Sequence, residues 1–294
     1  MFKNVLLYRF QNQVPAIGDI EKSLDAERFI SCAQSQEKSI GWIEPRGDAH
    51  AALIESISGQ YIMRLQIETK SVPGSVAARK AQERAEEIEK STGRKPGKKE
   101  MREIKEDVKL SLLPVAFSKV SKHWIWIDPT SRIMAIEAAV QSKADEIITL
   151  LVKTITNLQV GMIHTNKSPQ AAMAYWLTTQ EAPSGFSVDR ECELKALDES
   201  KSVVKFAKHR LDRDDVRKHI EEGKLPTRLA MTWQSRVSFV LSENLQLKKI
   251  TFLDVVFENA NDEVDSFDAD VAIATGELVK LLPDLFAALE GVVE

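Results

Sequence analysis

The first ten residues hold a run from Val5 to Phe10 that is apolar apart from Arg9 and predicts a buried strand, and Asp19 is placed to cap a helix running to about Ile30. Ile40 to Pro45 reads as a second strand that ends at a Pro-Arg-Gly turn. From Gln60 to Lys70 the apolar positions alternate, with Tyr61, Met63, Leu65 and Ile67 on one face, and Val72-Pro73-Gly74 then breaks the pattern. The period changes from two to 3.6 between Ser75 and Leu113. Two helices are predicted there, split by Ser91-Thr92-Gly93-Arg94-Lys95-Pro96-Gly97. Their apolar stripes are thin: Ala77, Ala81, Ala85 and Ile88 on the first, Met101, Ile104, Val108 and Leu112 on the second. Such stripes bury one face and leave the rest in water, so this stretch reads as a projecting helical arm with little core.

The core pattern resumes with a hairpin, His123 to Asp128 and Ile133 to Ala138 around a Pro129-Thr130-Ser131 turn. An amphipathic helix follows from Lys143 to Thr156, then a strand from Leu158 to His164. Ser168-Pro169 supplies a cap and a first-turn proline for a helix through Trp176. A polar stretch, Gln180 to Gly185, marks a domain boundary. Beyond it Ser202–Lys208, Leu225–Trp233, Arg236–Leu241 and Leu247–Leu253 read as strands, with a charged helix from Asp212 to Glu222 between the first two. The chain closes on a helix from Gly276 to Leu289 with Pro283 as its bending point. Short connections imply an α+β protein with mostly antiparallel sheets.

The 294 residues are 43% hydrophobic and 29% charged, enough for a substantial core and for more than one subdomain. Cys32 and Cys192 stand far apart without a CxxC partner, which excludes a zinc cluster or disulfide framework and fits a reducing, cytoplasmic setting. No apolar run reaches membrane-spanning length, and the N-terminal run reads as a strand rather than a leader.

Catalytic constellations are missing from the sequence. Gly93 to Lys99 superficially resembles a P-loop, but the glycines are too close by one residue and Lys99 stands where Ser or Thr belongs. It also follows a helix rather than a strand. No GxGxxG, GxSxG or HExxH occurs, and His219 reads as a solvated helix residue. Asp262-Glu263 and Asp268–Asp270 bring carboxylates together as a metal nuclease does, or as solvated caps. No cofactor is expected.

The net charge of −4 lowers the expectation of nucleic-acid binding. Its distribution restores it. Residues 75–113 carry eleven Lys or Arg against eight Asp or Glu. Lys98, Arg102, Lys105 and Lys109 are spaced four, three and four apart, on one face of a helix, while Glu103, Glu106 and Asp107 fall on others. That stripe either runs beside a phosphate backbone or is a solvated face laced with ion pairs. A second cluster spans Lys201, Lys205, Lys208, His209, Arg210, Arg213, Arg217 and Lys218, with several of these charges on one strand face. Neither cluster interleaves the aromatics that stack unpaired bases, so duplex backbone is the better target.

Several segments, in order, resemble the recombination-associated RdgC family of bacteria. They are Phe2-Lys3-Asn4 with Tyr8-Arg9; Gly41-Trp42 with Pro45; Ser111-Leu112-Leu113-Pro114 with Ala116-Phe117-Ser118; and Trp126-Ile127-Asp128. Further on come His219-Ile220-Glu221 with Gly223-Lys224; Leu229-Ala230, Trp233-Gln234 and Arg236; and Phe267-Asp268-Ala269-Asp270 with Thr275-Gly276-Glu277-Leu278. The resemblance implies a curved subunit forming a ring-shaped homodimer that encircles double-stranded DNA without sequence preference, associates with the nucleoid and restrains RecA-promoted strand exchange. It implies a central domain (1–74 and 119–179), an inserted helical tip (75–118) and a base (180–294). The expected DNA contacts are Lys98, Arg102, Lys105, Lys109, Lys119, Lys205, Lys208, Arg210 and Arg213. Phe117 is implied at the tip contact of the dimer, and Lys208 with His209 at the other, where His209 replaces a glutamine and would add pH sensitivity. A metal-dependent nuclease using the C-terminal acids, and an interaction scaffold that does not bind DNA, are the competing readings.

Overall fold

The computed structural model describes residues 1–211, 214–258 and 266–293, and its chain divides into two units. The first comprises Met1–Leu24, Glu44–Met63 and Trp124–Glu294, and the second Asp25–Ile43 and Arg64–His123.

In the first unit the apolar run of the N-terminus forms β1 (Val5–Phe10). It pairs antiparallel with β6 (Ile133–Glu137) on one side, and on the other with β12 (Leu247–Phe252) and the short β7 (Val160–Met162). The order continues through β11 (Val237–Ser242), β10 (Lys224–Trp233) and β8 (Phe186–Ala196) to β9 (Val203–Ala207), antiparallel throughout. Strands β4 (Gln60–Ser71) and β5 (Phe117–Asp128) each contribute residues to both units; in the first, β3 (Ile54–Ile57) pairs β4 and β5 pairs β6.

One face of this sheet carries Val5, Leu7, Cys192, Leu194, Leu229, Met231, Val237, Phe239 and Leu241. Against it pack α5 (Pro169–Thr179), through Ala172, Met173 and Trp176, and α7 (Ser266–Ala288), through Val271, Leu278, Leu281, Leu282 and Leu285. Each such fully buried side chain stabilises the fold by about 1.5–3 kcal/mol relative to exposure. Ser168 caps α5, its Oγ accepting from the Ala171 amide at 3.2 Å, with Pro169 in the first turn as the sequence predicts. The chain is further tied by Arg236, whose Nε and Nη2 donate to the two carboxylate oxygens of the buried Glu277 at 2.7 Å each.

Several elements differ from expectation: β5 begins six residues before His123, β3 goes unpredicted, and β7 is shorter than the expected Leu158–His164 strand. The helix α1 (Ile17–Asp25) contains Asp19 in its first turn rather than at its cap, and stops five residues early. The chain after it pairs elsewhere, with the Phe29 amide donating to Trp42 O at 2.9 Å. The C-terminal helix starts ten residues before Gly276 and passes through Pro283. The strand β8 goes unpredicted from the sequence, although it is the partner of both β9 and β10.

The second unit pairs β2 (Lys38–Ile43) with β4 and carries the predicted helices α2 (Gly74–Thr92) and α3 (Lys98–Leu112). At Gly41 a Cβ would stand 2.5 Å from Phe29 Cα, so only glycine admits that close backbone approach. Gly93 ends α2 in the left-handed conformation (φ 72°), its amide donating to Glu89 O at 2.8 Å. The core between the helices is small, as the thin stripes predict: Ala81, Ile104 and Val108, with Ile88, Met101 and Leu112 partly buried against them.

Candidate nucleic-acid interface

Ile104 and Val108 turn inward, and the rest of α3 turns to water. Lys98, Arg102 and Lys105 are exposed along one flank of the buried stripe, with Glu103, Glu106 and Asp107 farther round, and none of the three makes an ion pair among the described residues. Lys109 differs: its Nζ lies 2.6 Å from Glu37 Oε1. That hydrogen bond and charge hold the ammonium protonated, pushing its pKa up, and engage it with a carboxylate of its own chain. Lys119, near the start of β5, is exposed. Beside this region the apolar side chains of Val115 and Phe117 stand in water, Phe117 at 91% of its full exposure, with Leu110 and Val120 about half exposed. Together these four side chains make an exposed apolar patch at the start of β5.

The second basic cluster is arranged less simply than its spacing suggests. In β9, Val204 and Phe206 face inward while Lys205 projects from the other face. Lys201 and Lys208 lie outside the strand, at positive φ (46° and 55°), exposed in the flanking turns. His209 is half-buried, with Nδ1 2.7 Å from Arg210 O and its ring 5.6 Å from that of Phe206. Arg210 is exposed, and Arg213 lies outside the described residues. On α6 (Asp214–Glu221), Arg217 pairs with Glu221 at 3.0 Å. His219 is not the solvated residue expected: it packs 6.2 Å from Phe206, with Nδ1 3.3 Å from Glu222 and 3.1 Å from Lys224 Nζ.

Strand register assembles a row of charge that the linear sequence conceals. On the sheet face away from the Leu229–Met231–Trp233 core, Glu193 of β8 stands between Lys205 of β9 and Arg228 of β10, at 3.1 and 3.9 Å. On β12, Lys249 Nζ reaches Glu191 at 2.5 Å, and Lys248 lies within electrostatic reach of Arg228 and Glu193. Lys248 is partly buried, and desolvation together with the Arg228 charge lowers its pKa. Burial would raise the Glu193 carboxyl, but hydrogen bonds from Thr227 and Lys205 and the Arg228 charge outweigh it and hold the group low. Four cations (Lys205, Arg228, Lys248, Lys249) thus meet two carboxylates (Glu191, Glu193), an excess that favours an anion laid along the row. Arg228, Lys248 and Lys249 are absent from the expected contacts. The signal available was the isolated charge of Arg228 within an apolar run, meaningful only once β8 is recognised as its neighbour.

Of the acids proposed for metal binding, the described pair Asp268 and Asp270 forms no cation site among the described residues. Among the described residues no group of three or more His, Cys, Asp or Glu is placed to hold a metal. Asp268 is bound by Arg46 Nη2 at 2.5 Å, while Arg46 Nε donates to Glu55 at 3.0 Å and its guanidinium lies 4.9 Å from the Phe267 ring. Asp270 is exposed, and Asp262 and Glu263 lie outside the described residues. Gly93 to Gly97 is the turn between α2 and α3, not a phosphate cradle opening a helix after a strand. Both cysteines are free thiols, and burial pushes that of Cys192 up to about 12. No helix among the described residues is long and apolar enough to cross a membrane.

Comparison with known proteins places these features in context. The family model described as "RdgC: Putative exonuclease, RdgC" matches residues 1–292. A protein named "Recombination-associated protein RdgC" from Janthinobacterium sp. (strain Marseille) is 43% identical over 299 residues, covering all of this chain and 99% of its own. Its namesake in Bordetella pertussis is 43% identical over 296 residues, covering 99% and 98%. That of Dechloromonas aromatica is 38% identical over 298 residues, covering 99% and 97%. The matches therefore span the residues of both units.

Proposed function

This chain belongs to the RdgC family, and on that premise we propose that it binds double-stranded DNA through the phosphate backbone, without reading sequence, as a ring-shaped homodimer. The observation that carries this reading is the exposed row Lys98–Arg102–Lys105. It spans about 10 Å of helix axis at 1.5 Å per residue. A duplex presents one charge per ~1.7 Å of its axis, so the row passes roughly six phosphate charges. Side chains that end in ammonium or guanidinium groups meet phosphate without regard to base identity. In this reading residues 75–118 are the tip of the subunit, 1–74 with 119–179 its central domain, and 180–294 its base. Phe117 closes the tip contact, Lys208 and His209 contribute to the base contact, and each is self-complementary about the two-fold axis. Bound on the nucleoid, the ring is a barrier that restrains RecA-dependent strand exchange.

The test is binding to unrelated duplexes, linear and covalently closed, across a salt series. Equal affinities, a steep salt slope, and retention at high salt on closed circles but not on linear DNA are the expected results. No duplex binding at low salt overturns the proposal. The family's description as an exonuclease favours a second reading, a metal-dependent nuclease. Magnesium-dependent loss of end-labelled DNA is the signature that separates it.

A further inference from the structure

On the first unit, the edge formed by β1, β7, the β5–β6 turn and the last described residues opens into a groove of about 550 Å³. Arg9 from β1 and Arg132 from the turn both line it, joined at the backbone by the Phe10 amide donating to Arg132 O at 2.9 Å. Neither guanidinium makes an ion pair or side-chain hydrogen bond among the described residues. The His164 imidazole and the Gln11 amide line the same groove, also without side-chain partners there. No carboxylate of the described residues lines it. Two guanidiniums on adjacent strand ends repel one another, and in a chain with more acids than bases it is unusual that no carboxylate among the described residues pairs with either. The lining also includes exposed apolar side chains: Met162 and Val293 are 45% and 49% exposed.

We infer that this groove binds a phosphate monoester of mononucleotide size, its phosphate held between Arg9 and Arg132 and its organic body against Met162 and Val293. The guanidinium fork matches phosphate oxygens two at a time, and a dianion balances the two positive charges. The volume lies within the roughly 300–1,000 Å³ of small-molecule sites and exceeds what a bare phosphate fills. The site is separate from the cation row. Arg9 shares its strand face with Val5 and Leu7, which face the core, whereas Arg228 projects from the other side of the sheet.

The test is calorimetric titration of the full chain with deoxyadenosine 5′-monophosphate, deoxyadenosine and inorganic phosphate. The mononucleotide is expected to bind one per chain, inorganic phosphate to compete weakly, and the nucleoside not to bind. Arg9→Gln with Arg132→Asn is expected to weaken binding roughly tenfold or more, the loss typical of charge-assisted hydrogen bonds, while affinity for closed circular duplex stays unchanged. Arg132→Asn alone, at an exposed position whose φ of 58° asparagine accepts, covers the case in which the strand substitution disturbs folding. No mononucleotide binding, equal binding of the nucleoside, or undiminished binding by Arg132→Asn overturns the inference. A duplex affinity that falls in parallel would show the groove to be part of the duplex track instead.

Discussion

Replacing Lys98, Arg102 and Lys105 together by glutamine removes three charges from α3 without touching its buried stripe. If each side chain neutralises one phosphate, the slope of log K against log salt falls by about 0.9 per contact, or about 2.7 for one subunit. Across a fourfold rise in salt, such as about 50 to 200 mM, wild-type affinity should then drop about 40-fold more than that of the variant. A dimer with both copies engaged doubles the change in slope. Fluorescence anisotropy on two unrelated duplexes measures it, and both must change alike, since no base is being read. Surface changes of this kind alter stability by about 0.5 kcal/mol or less each, so the helical signal and Tm serve as the check on folding. Lys109→Gln is the internal control: its ammonium is already engaged by Glu37, so it should change the slope by less than one contact. A triple variant with the wild-type slope and an intact fold refutes the assignment of α3 to the phosphate backbone.

Phe117→Ser should leave Tm nearly unchanged, because the ring is solvent-exposed in the single chain, yet weaken self-association. At roughly 2 kcal/mol per buried aromatic anchor and two copies per interface, the dissociation constant rises roughly a thousandfold, read by sedimentation; an unchanged dimer refutes the contact. Glu193→Gln should raise duplex affinity at neutral pH by releasing Lys205 and Arg228. Because the Glu193 carboxyl is held low in the fold, its stabilising contribution is present at neutral pH and lost as pH falls through the folded pKa, so the variant's Tm should depend less on pH in the acid range than the wild type's. Ile104→Ala should cost about 2–4 kcal/mol locally. Hydrogen exchange should then accelerate across residues 74–112 but not in β10 and β11, and uniform acceleration would show that the helical pair does not open on its own.

Where local chemistry decides structure, the sequence is readable. The α2–α3 pair is bounded by Gly93 and Gly97, its stripes keep a 3.6-residue period, and Ser168-Pro169 announces α5 unambiguously. The strand β8 escapes because its alternation is interrupted. The register with β10 shifts between Leu229 and Met231, where four residues of β8 span two of β10, and the charged run Asp189, Arg190 and Glu191 separates the inward positions Val188 and Cys192. The true start of α7 is hidden by a different conflict. Gly276 reads as a helix boundary, but Val271, Ala274, Leu278 and Leu281 bury a continuous face across it. Of the candidate interface, the α3 stripe is legible because a helix fixes which side chains share a face. The sheet row is not, because Lys205, Arg228 and Lys248 meet only through the pairing of five strands.

This difference in origin carries a difference in energetics between the two cationic surfaces. On α3 the three exposed cations have only their counterion atmosphere to release, so each phosphate contact contributes its full share of the salt dependence. On the sheet, like charges on neighbouring strands destabilise one another, and Glu191 and Glu193 offset that repulsion in the free protein. A phosphate that takes Lys205 or Lys249 must displace a carboxylate, and the freed carboxylate repels the incoming backbone. Contacts there add less to affinity and less than one counterion each to the slope. The chain's acidic excess is thus partly built into its basic surfaces. The steep salt dependence of duplex binding should therefore reside in residues 98–105, with the sheet row setting how far affinity can rise when its carboxylates are removed.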